Sequence, residues 1–470
     1  MRAYALAGAL ALLLWVLAGS QLKGLDPDFF WHLKVGELAL AGQHPGLAEP
    51  FSWTAAGRYW LDHEWLGEVV WAWLFKLGGL PAVKALHWLL LGGLIGAVGL
   101  LIGREGARFR VAACSAAFIG CLLFPWYLPR LQVVSGLGLA LTLLYLQAWN
   151  RGNFRPWMLV AYEALLIAWA NLHGGGAIAG PGTLSIAVAV ELVQKLRGQG
   201  RPGLRWLAAT AAMGWLGLAV NPSTLQLPLF SIAAMIDPRI HEMNQIILEW
   251  HGFAFEKPFY VLYLAWICAI VLGLAAARKL PAPSLLAVGL VWAWMGFGAY
   301  RNIPLAAIAT APLWGAAVAH ASRKAVVGLG AALAVALMAL HPLLATRRAD
   351  PLAIGERMPS AQALDALNAH AAGRKLLNWY MWGGEVLFIG YPRVKVFIDG
   401  RQYVYGLQTN RDYLMLATAG PEYQKVLAQY DVDAAFFPPE WPIMKALHRD
   451  PRWHTVFSDG SAELMLRAPR

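Results

Sequence analysis

The chain has little charge and few cysteines for its length. Only 14% of its 470 residues are charged, whereas 59% are hydrophobic, and the mean hydropathy is +0.49. One soluble core cannot bury that much apolar surface, so lipid must solvate much of it. The three cysteines, Cys114, Cys121 and Cys268, all lie within apolar runs. This pattern gives no disulfide framework and no thiolate metal site.

The signatures of common soluble enzymes are also missing. The sequence has no P-loop, no Gly-x-Ser-x-Gly elbow and no zinc-spaced pairs of Cys or His. The formal net charge of +11 does not indicate a nucleic-acid partner, because Lys and Arg occur in short clusters between apolar runs. Such clusters are typical topology signals of membrane proteins.

What the chain does contain is a series of apolar runs, each about long enough to cross a bilayer. The run at residues 3–19 is interpreted as a retained helix, with a cleaved signal peptide as the alternative. Further runs begin near Ala82, Val111, Leu131, Trp157, Ala177, Trp206, Phe259, Ser284, Pro304 and Ala325. We therefore predict an α-helical polytopic membrane protein with about eleven transmembrane helices, in a transmembrane domain at residues 1–345.

Basic clusters occupy every second connection between these runs, for example around Arg104, Arg151, Arg201 and Lys324. The positive-inside rule places these connections in the cytoplasm. The alternate connections then face outward, and they include residues 21–79, residues 221–258 and the tail after residue 346. The protein is thus predicted to lie in a plasma membrane of the bacterial, inner-membrane type.

The predicted outer segments carry secondary-structure signals of their own. In the Trp-rich loop 21–79, residues 29–41 and 64–77 read as amphipathic helices at the membrane interface. The tail, residues 346–470, is richer in charge and predicts a small extracytoplasmic α/β domain. Its predicted helices are residues 360–372 and 422–430, and its predicted strands are residues 395–399, 434–437 and 462–467.

The first outer loop opens with the most concentrated set of reactive side chains. Asp26, Asp28 and His32 follow the first apolar run almost directly, so they are expected at the membrane surface, where a lipid-linked phosphate would lie. A carboxylate there can deprotonate an acceptor or hold a divalent ion such as Mg²⁺ or Mn²⁺, with Asp26 and Asp28 as its ligands. Alternatively, Asp28 only caps the helix that follows.

Further candidates lie at the predicted outer ends of other runs. Asp62, His63 and Glu64 precede the second interfacial helix, where capping by Asp62 is an equally good explanation. Arg130 and Arg301 lie against the usual preference for cytoplasmic cations, which indicates either a bound anion such as phosphate or snorkelling to lipid headgroups. The remaining polar candidates in or near the outer segments are Asn171, His173 and Glu249, while Glu163 lies deep in a spanning run and is expected to line a polar cavity or to be neutral.

Taken together, these motifs resemble the GT-C superfamily of membrane glycosyltransferases. Asp26-Pro27 followed by Phe29 resembles the acidic opening of the oligosaccharyltransferase catalytic subunit, and Asp26 matches its catalytic carboxylate. Residues 246–249 resemble the outer-loop Glu motif of that subunit. Residues 378–384 occupy the place of its Trp-Trp-Asp-Tyr-Gly signature but lack the Asp. The chain is also similar to bacterial GT-C-like membrane proteins of unsettled function, which share the Asp-Pro-Asp-x-x-Trp-His opening and an Asp-His-Glu-Trp sequence.

The resemblance implies an inverting glycosyltransferase of the cell envelope that uses a polyprenyl-phosphate-linked sugar donor. Its partners would be that donor, membrane lipid and an unidentified extracytoplasmic acceptor. The implied catalytic residues are Asp26, Asp28, His32, His63 and Glu64. The implied contacts to the donor phosphate are Arg130, Arg301 and His173. The implied contacts to the acceptor are Asn171, Glu249, Trp382, Asp399 and Arg401. The alternatives are a transporter or flippase of a lipid-linked saccharide, and a non-catalytic assembly protein with GT-C architecture.

Overall fold

The computed structural model describes residues 25–319, 328 and 358–468, except positions 45, 239, 241, 243–247, 256 and 278. The apolar runs at residues 3–19 and from Ala325 lie outside the described residues. The described chain is mostly helical and forms two compact units. Unit 1 comprises residues 80–235 and 248–319, and unit 2 comprises residues 25–79, 236–242 and 358–468.

The first helix, α1, belongs to unit 2, and the second, α2, passes from unit 2 into unit 1. The boundary falls at a kink formed by Gly78 and Gly79, where Gly79 has a φ of 62° that favours glycine. The helices up to residue 317 are α1 (Phe29–Leu40), α2 (Trp65–Arg104), α3 (Phe109–Leu122), α4 (Gln132–Asn150), α5 (Pro156–Leu172), α6 (Gly174–Ala177), α7 (Ala179–Leu196), α8 (Leu204–Gly217), α9 (Gln226–Ile236), α10 (Pro258–Ala275), α11 (Pro283–Gly298) and α12 (Ile303–Ala317).

Apolar helices long enough to cross a membrane are present in the described chain. Three meet both the length and the hydropathy required, namely Trp65–Arg104, Gln132–Asn150 and Gly174–Leu196. Shorter apolar helices accompany them, including α3, α5 and α11. The chain is an integral membrane protein, while the expected total of about eleven spans stays a prediction.

Helix α12 is the most buried described helix of unit 1, with every residue from Ile303 to Ala316 buried except Leu305. A helix that is apolar on all sides is stable only when other helices or lipid surround it. Polar contacts join it to its neighbours, because the Trp266 indole donates to Thr310 Oγ1 at 2.9 Å and the Trp314 indole donates to Ser115 Oγ at 2.8 Å. Such hydrogen bonds hold helices together where the hydrophobic effect gives no preference between helix and lipid.

Unit 2 contains a small mixed sheet with the strand order β1-β2-β4-β3. β1 runs parallel to β2, while β4 is antiparallel to both β2 and β3. The strands are β1 (Leu376–Asn378), β2 (Ala434–Phe437), β3 (Trp453–Ser458) and β4 (Glu463–Arg467). The helices of the tail are α13 (Ala361–His370), α14 (Gly383–Gly390), α15 (Gln402–Ala417), α16 (Tyr423–Tyr430) and α17 (Pro442–Leu447).

The loop between α1 and α2 is built into the same unit as the tail. Phe51 and Trp53 exchange backbone hydrogen bonds with Val396, and the Trp53 indole donates to Leu376 O at 2.9 Å. α14 packs on α1 so closely that a Cβ at Gly384 would lie 2.5 Å from Pro27 O. This loop and the tail, which are far apart in the sequence, therefore share one core.

Most predicted elements outside the apolar runs are confirmed. Helices occur at Phe29–Leu40, Ala361–His370 and Tyr423–Tyr430, and strands at Ala434–Phe437 and Glu463–Arg467. The strand predicted at residues 395–399 is wrong, because only Val396 forms a bridge there, with Ser52. The Asn378 side chain forms hydrogen bonds with the backbone of the rest of this segment. Its Oδ1 accepts from Phe397 N at 2.8 Å, and its Nδ2 donates to Ile398 O at 2.9 Å.

Candidate functional site

The acidic segment that opens with Asp26 forms a tight turn before α1. Asp26 Oδ1 accepts from Asp28 N at 3.0 Å, and Asp26 O accepts from Phe29 N at 3.0 Å. The Asp28 carboxylate makes no capping hydrogen bond to α1. It lies instead against Gly400, where a Cβ would be 1.6 Å from Asp28 Oδ1. The capping explanation for Asp28 is therefore not supported, and Asp26 is held with its side chain 4% exposed.

His32 lies one turn further along α1, between two carboxylates of the following segment. Its Nδ1 is 2.8 Å from Glu68 Oε1, and its Nε2 is 3.2 Å from Glu64 Oε2. Glu64 and Glu68 are four residues apart at the start of α2, so their side chains share one helix face. All three residues are buried. The sequence analysis includes His32 and Glu64, while Glu68 is an addition from the structure.

Asp62 and His63 complete this cluster. Asp62 Oδ1 accepts from Glu64 N at 3.1 Å, and its Oδ2 is 2.9 Å from His44 Nε2. Because Glu64 precedes α2, this hydrogen bond closes a turn before the helix and is not the cap on a first-turn N–H that the capping explanation expects. His63 Nε2 is 3.6 Å from Glu64 Oε1. Asp62, His63 and Glu64 thus form one group around His32, and Asp26 is close enough to interact with it, while Asp28 lies against Gly400.

Four carboxyl groups, those of Asp26, Asp62, Glu64 and Glu68, belong to this group or interact with it. Burial lowers the pKa of His32, and the carboxylates of Glu64, Asp26 and Asp62 act against that shift. Several carboxylates within reach of each other disfavour full ionisation, which is the condition that lets one of them accept a proton near neutral pH. The group therefore has the chemistry expected of a general base or of a cation site.

A second buried cluster in unit 2 holds Asp399 and Arg401. The Arg401 guanidinium donates to Asp399 through Nε at 3.0 Å and Nη2 at 2.5 Å, and Nη2 also donates to Glu49 Oε1 at 2.9 Å. Asp399, Arg401 and Glu49 are at most 2% exposed. Trp382, at 1% exposed, packs on Trp379 in the same core. This burial argues against direct acceptor contacts by Trp382, Asp399 and Arg401, which hold the core of unit 2 together.

The cationic candidates lie in unit 1 and contact one short turn at Leu248–Trp250. Arg130 Nη1 is 2.7 Å from Glu249 Oε1, and the Arg301 guanidinium lies 4.3 Å from the centre of the Trp250 ring. Both arginines therefore contact neighbouring residues of the same turn. This clustering is what an anion site on unit 1 requires.

His173 and Asn171 are held by neighbouring helices of unit 1. His173 Nδ1 is 2.5 Å from Ser135 Oγ, which also accepts from the Trp169 indole at 2.8 Å. Asn171 Nδ2 donates to Val220 O at 2.8 Å and to Ile167 O at 2.7 Å. These contacts fix both side chains at the end of α5, where the glycines of α6 follow.

This geometry can be compared with that of solved structures. AglB, an archaeal oligosaccharyltransferase from Archaeoglobus fulgidus determined with an inhibitory peptide and a dolichol-phosphate, gives a TM-score of 0.59 at 13% identity. The match covers 91% of this chain and 69% of that chain. ArnT from Cupriavidus metallidurans bound to undecaprenyl phosphate gives a TM-score of 0.53 at 14% identity, with both chains covered in full.

The chain shares its fold with these two proteins. Apo ArnT gives the same TM-score of 0.53, with 100% of this chain and 99% of that chain covered. The resemblance drawn from the acidic opening is thus confirmed at the level of the fold. No family model and no curated relative matches the sequence. Identities of 13–14% support a shared fold only, because proteins of one fold can have different functions. The reaction depends on the residues that this chain places in its site.

Glu385, on the first turn of α14, is a buried carboxyl in unit 2 that gives a prediction on stability. Its Oε2 has no hydrogen-bond partner, and burial raises the pKa of Glu385 to about 8. The folded state then holds a proton that the unfolded state loses above the ordinary pKa, so stability is highest below that pKa and falls as the pH rises toward 8. Glu385→Gln should raise the free energy of unfolding at pH 8 by about 2–4 kcal/mol, with little change at pH 4.5. The unfolding temperature at pH 8 should rise accordingly.

Thermal unfolding of purified protein in detergent between pH 4.5 and 8.5 measures this difference. Glu422→Gln removes an exposed carboxylate of the same unit and should leave the curve of the parent protein unchanged. Equal unfolding temperatures of Glu385→Gln and the parent protein at pH 8 would contradict the prediction.

Proposed function

We propose that the protein is an inverting glycosyltransferase that moves a sugar from a polyprenyl-phosphate-linked donor to an acceptor outside the cytoplasm. The observation that carries this proposal is the buried carboxylate group around Asp26 and His32, at the opening of the first outer loop of a GT-C fold. Solved proteins of the same fold bind dolichol-phosphate and undecaprenyl phosphate. Inner-membrane location and an extracytoplasmic tail belong to the same proposal and follow from the distribution of Lys and Arg.

In the proposed reaction, Asp26 accepts the proton of the acceptor nucleophile. The nucleophile attacks the anomeric carbon of the donor sugar as the bond from that carbon to the phosphate oxygen breaks. The polyprenyl phosphate leaves with the electron pair of the broken bond. The bond from the anomeric carbon to the phosphate oxygen is thus replaced by the new glycosidic bond to the acceptor. His32 and Glu64 act as positioning residues, because His32 lies on α1 directly after the turn that holds Asp26, and its Nε2 is 3.2 Å from Glu64 Oε2.

The donor phosphate is proposed to contact Arg130 and Arg301, which meet at the turn Leu248–Trp250. Arginine suits this role because its planar fork can bind two phosphate oxygens at once. Nearby, Asn171, His173 and Glu249 stay candidates for further substrate contacts.

The test of function is incubation of the purified protein, in lipid nanodiscs, with labelled polyprenyl-phosphate sugars and candidate acceptors. Transfer is expected to give a labelled acceptor together with free polyprenyl phosphate in equal amounts. Movement of the intact donor across a vesicle bilayer would favour the flippase alternative. Donor binding with neither transfer nor movement would favour an assembly protein.

The arginine sites give a prediction on the donor. Arg301→Gln keeps a polar side chain but removes the charge that would face the phosphate, so the KM for the donor should rise by at least about tenfold with a smaller change in kcat. Arg205→Gln is a matched control, because Arg205 also stacks on a tryptophan, Trp206, but lies on a predicted cytoplasmic connection. An unchanged donor KM in Arg301→Gln would remove Arg301 from the phosphate site.

A further inference from the structure

The group around His32 has the composition of a metal site as well as that of an acid–base site. One ligand atom from each of His32, Glu64 and Glu68 can be chosen so that all lie within 4.8 Å of one another. Ligand atoms bound to one ion at about 2.1 Å lie roughly 3–3.5 Å apart. The 3.2 Å between His32 Nε2 and Glu64 Oε2 already has that length. Glu68 contacts the other ring nitrogen, Nδ1, so the Glu68 carboxylate or the imidazole must reorient for one ion to bind all three residues.

When His32 is neutral and all the carboxyl groups are ionised, the group has too few hydrogen-bond donors. A neutral imidazole has one N–H, so His32 can donate to Glu64 or to Glu68 but not to both. Glu68 is fully buried, and its Oε2 has no hydrogen-bond partner. A buried carboxylate oxygen without a donor is costly, and this one belongs to a residue whose other oxygen contacts His32.

Charge gives a separate reason for a cation. Asp62 also interacts with Glu68, so at least three carboxyl groups share the space around one imidazole. Arg401 contributes positive charge from further away, but its guanidinium is bound to Asp399 and Glu49. Buried carboxylates are stable when they are protonated, paired or bound to a metal.

The backbone around the group is suited to a rigid site. α1 and α2 approach so closely that a Cβ at Gly36 would lie 2.1 Å from Glu68 O. Only glycine permits this approach, which holds His32 of one helix beside Glu64 and Glu68 of the other. A ligand set on two packed helices keeps its geometry better than one on loops.

We propose that His32, Glu64 and Glu68 bind one divalent transition-metal ion that ties α1 to the start of α2. One imidazole nitrogen and two carboxylates suit Zn²⁺ and Mn²⁺, with Zn²⁺ bound more tightly, whereas Mg²⁺ prefers oxygen ligands and water. This ligand set differs from Asp26 and Asp28, the pair expected from the sequence. The inference goes beyond the proposed transfer reaction and does not depend on it.

Metal content and binding test the proposal without any sugar donor. Tag-free protein in detergent, freed of metal by chelation, is titrated with Zn²⁺, Mn²⁺ or Mg²⁺ alone, and binding is followed by calorimetry and by the unfolding temperature. We expect one Zn²⁺ per chain, weaker Mn²⁺ binding, weakest Mg²⁺ binding and a higher unfolding temperature with Zn²⁺, because a ligand of the folded state stabilises it.

Glu68→Gln should weaken Zn²⁺ binding at least about a hundredfold, since it replaces a charged ligand. Glu37→Gln, on α1 but in an exposed pair with Lys34, should bind Zn²⁺ as the parent protein does. If Glu68→Gln does not fold, His32→Gln takes its place, and the absorption spectrum of bound Co²⁺ reports the loss of the nitrogen ligand.

Absence of Zn²⁺ binding to the parent protein would overturn the proposal and assign a shared proton to the group instead. Binding that is equally tight in Glu68→Gln, His32→Gln and the parent protein would also overturn it, because the ion would then lie elsewhere. Failure of sugar transfer leaves these results unaffected, so the two proposals fail separately.

Discussion

Asp26→Asn should lower sugar transfer at least about a hundredfold, the usual lower scale for loss of a general base. The asparagine can keep the hydrogen bond that Asp26 Oδ1 accepts from Asp28 N, so the turn before α1 should persist. It loses the negative charge that takes up the proton of the acceptor nucleophile. Donor affinity should change little if Arg130 and Arg301 carry the phosphate. Initial rates at saturating donor, with a separate binding measurement, distinguish the two effects.

The controls for this variant are Asp28→Asn and Glu37→Gln. The Asp28 carboxylate lies against Gly400, so its loss should affect the rate less than that of Asp26, unless the two share a role in proton transfer. Glu37→Gln should retain the parent rate, because Glu37 lies on the exposed face of α1. Full activity of a folded Asp26→Asn would exclude Asp26 as the base, and it would favour the non-enzymatic alternatives if Asp28→Asn were also active.

The local features of the candidate site could be predicted from sequence because they depend on near neighbours. Asp26, Asp28 and His32 lie within seven residues, and Asp62, His63 and Glu64 are consecutive. Glu68 was missed although its signal is present, since a carboxylate four residues after Glu64 falls on the same helix face. Glu49 carries no such signal, because its ion-pair partner Arg401 is 352 residues away in the sequence.

The difference between local and long-range contacts also explains why one strand was predicted correctly and another was not. The apolar run at residues 434–437 predicts the central strand β2, which is buried throughout. Residues 395–399, with three consecutive apolar residues at their centre, also read as a strand, yet the amide of Asn378 takes the place of a neighbouring strand there. Which partner a backbone segment finds depends on tertiary packing, and residue pattern alone does not specify it.

Arg401→Met should destabilise unit 2 by about 3–5 kcal/mol, because it leaves the carboxylates of Asp399 and Glu49 buried without their cation. The loss is comparable to the whole stability of many domains, so little folded protein should accumulate. The aromatic rings of Phe51 and Trp60, within 5 Å of the guanidinium, cannot replace its charge. Unfolding temperature and the yield of monodisperse protein in detergent measure the effect.

The chain offers a matched control for this experiment in Arg452→Met. Arg452 binds Asp450 with the same spacing and the same two-pronged geometry as Arg401 and Asp399, but it lies on the surface. Water solvates the carboxylate that remains there, so stability should hardly change. Adding Asp399→Asn to Arg401→Met should recover part of the lost stability, since it removes one of the uncompensated charges. A residue that only holds the core together cannot be removed without loss of stability. If Arg401→Met were as stable as the parent protein but bound the acceptor more weakly, the acceptor role expected from the sequence would be supported instead.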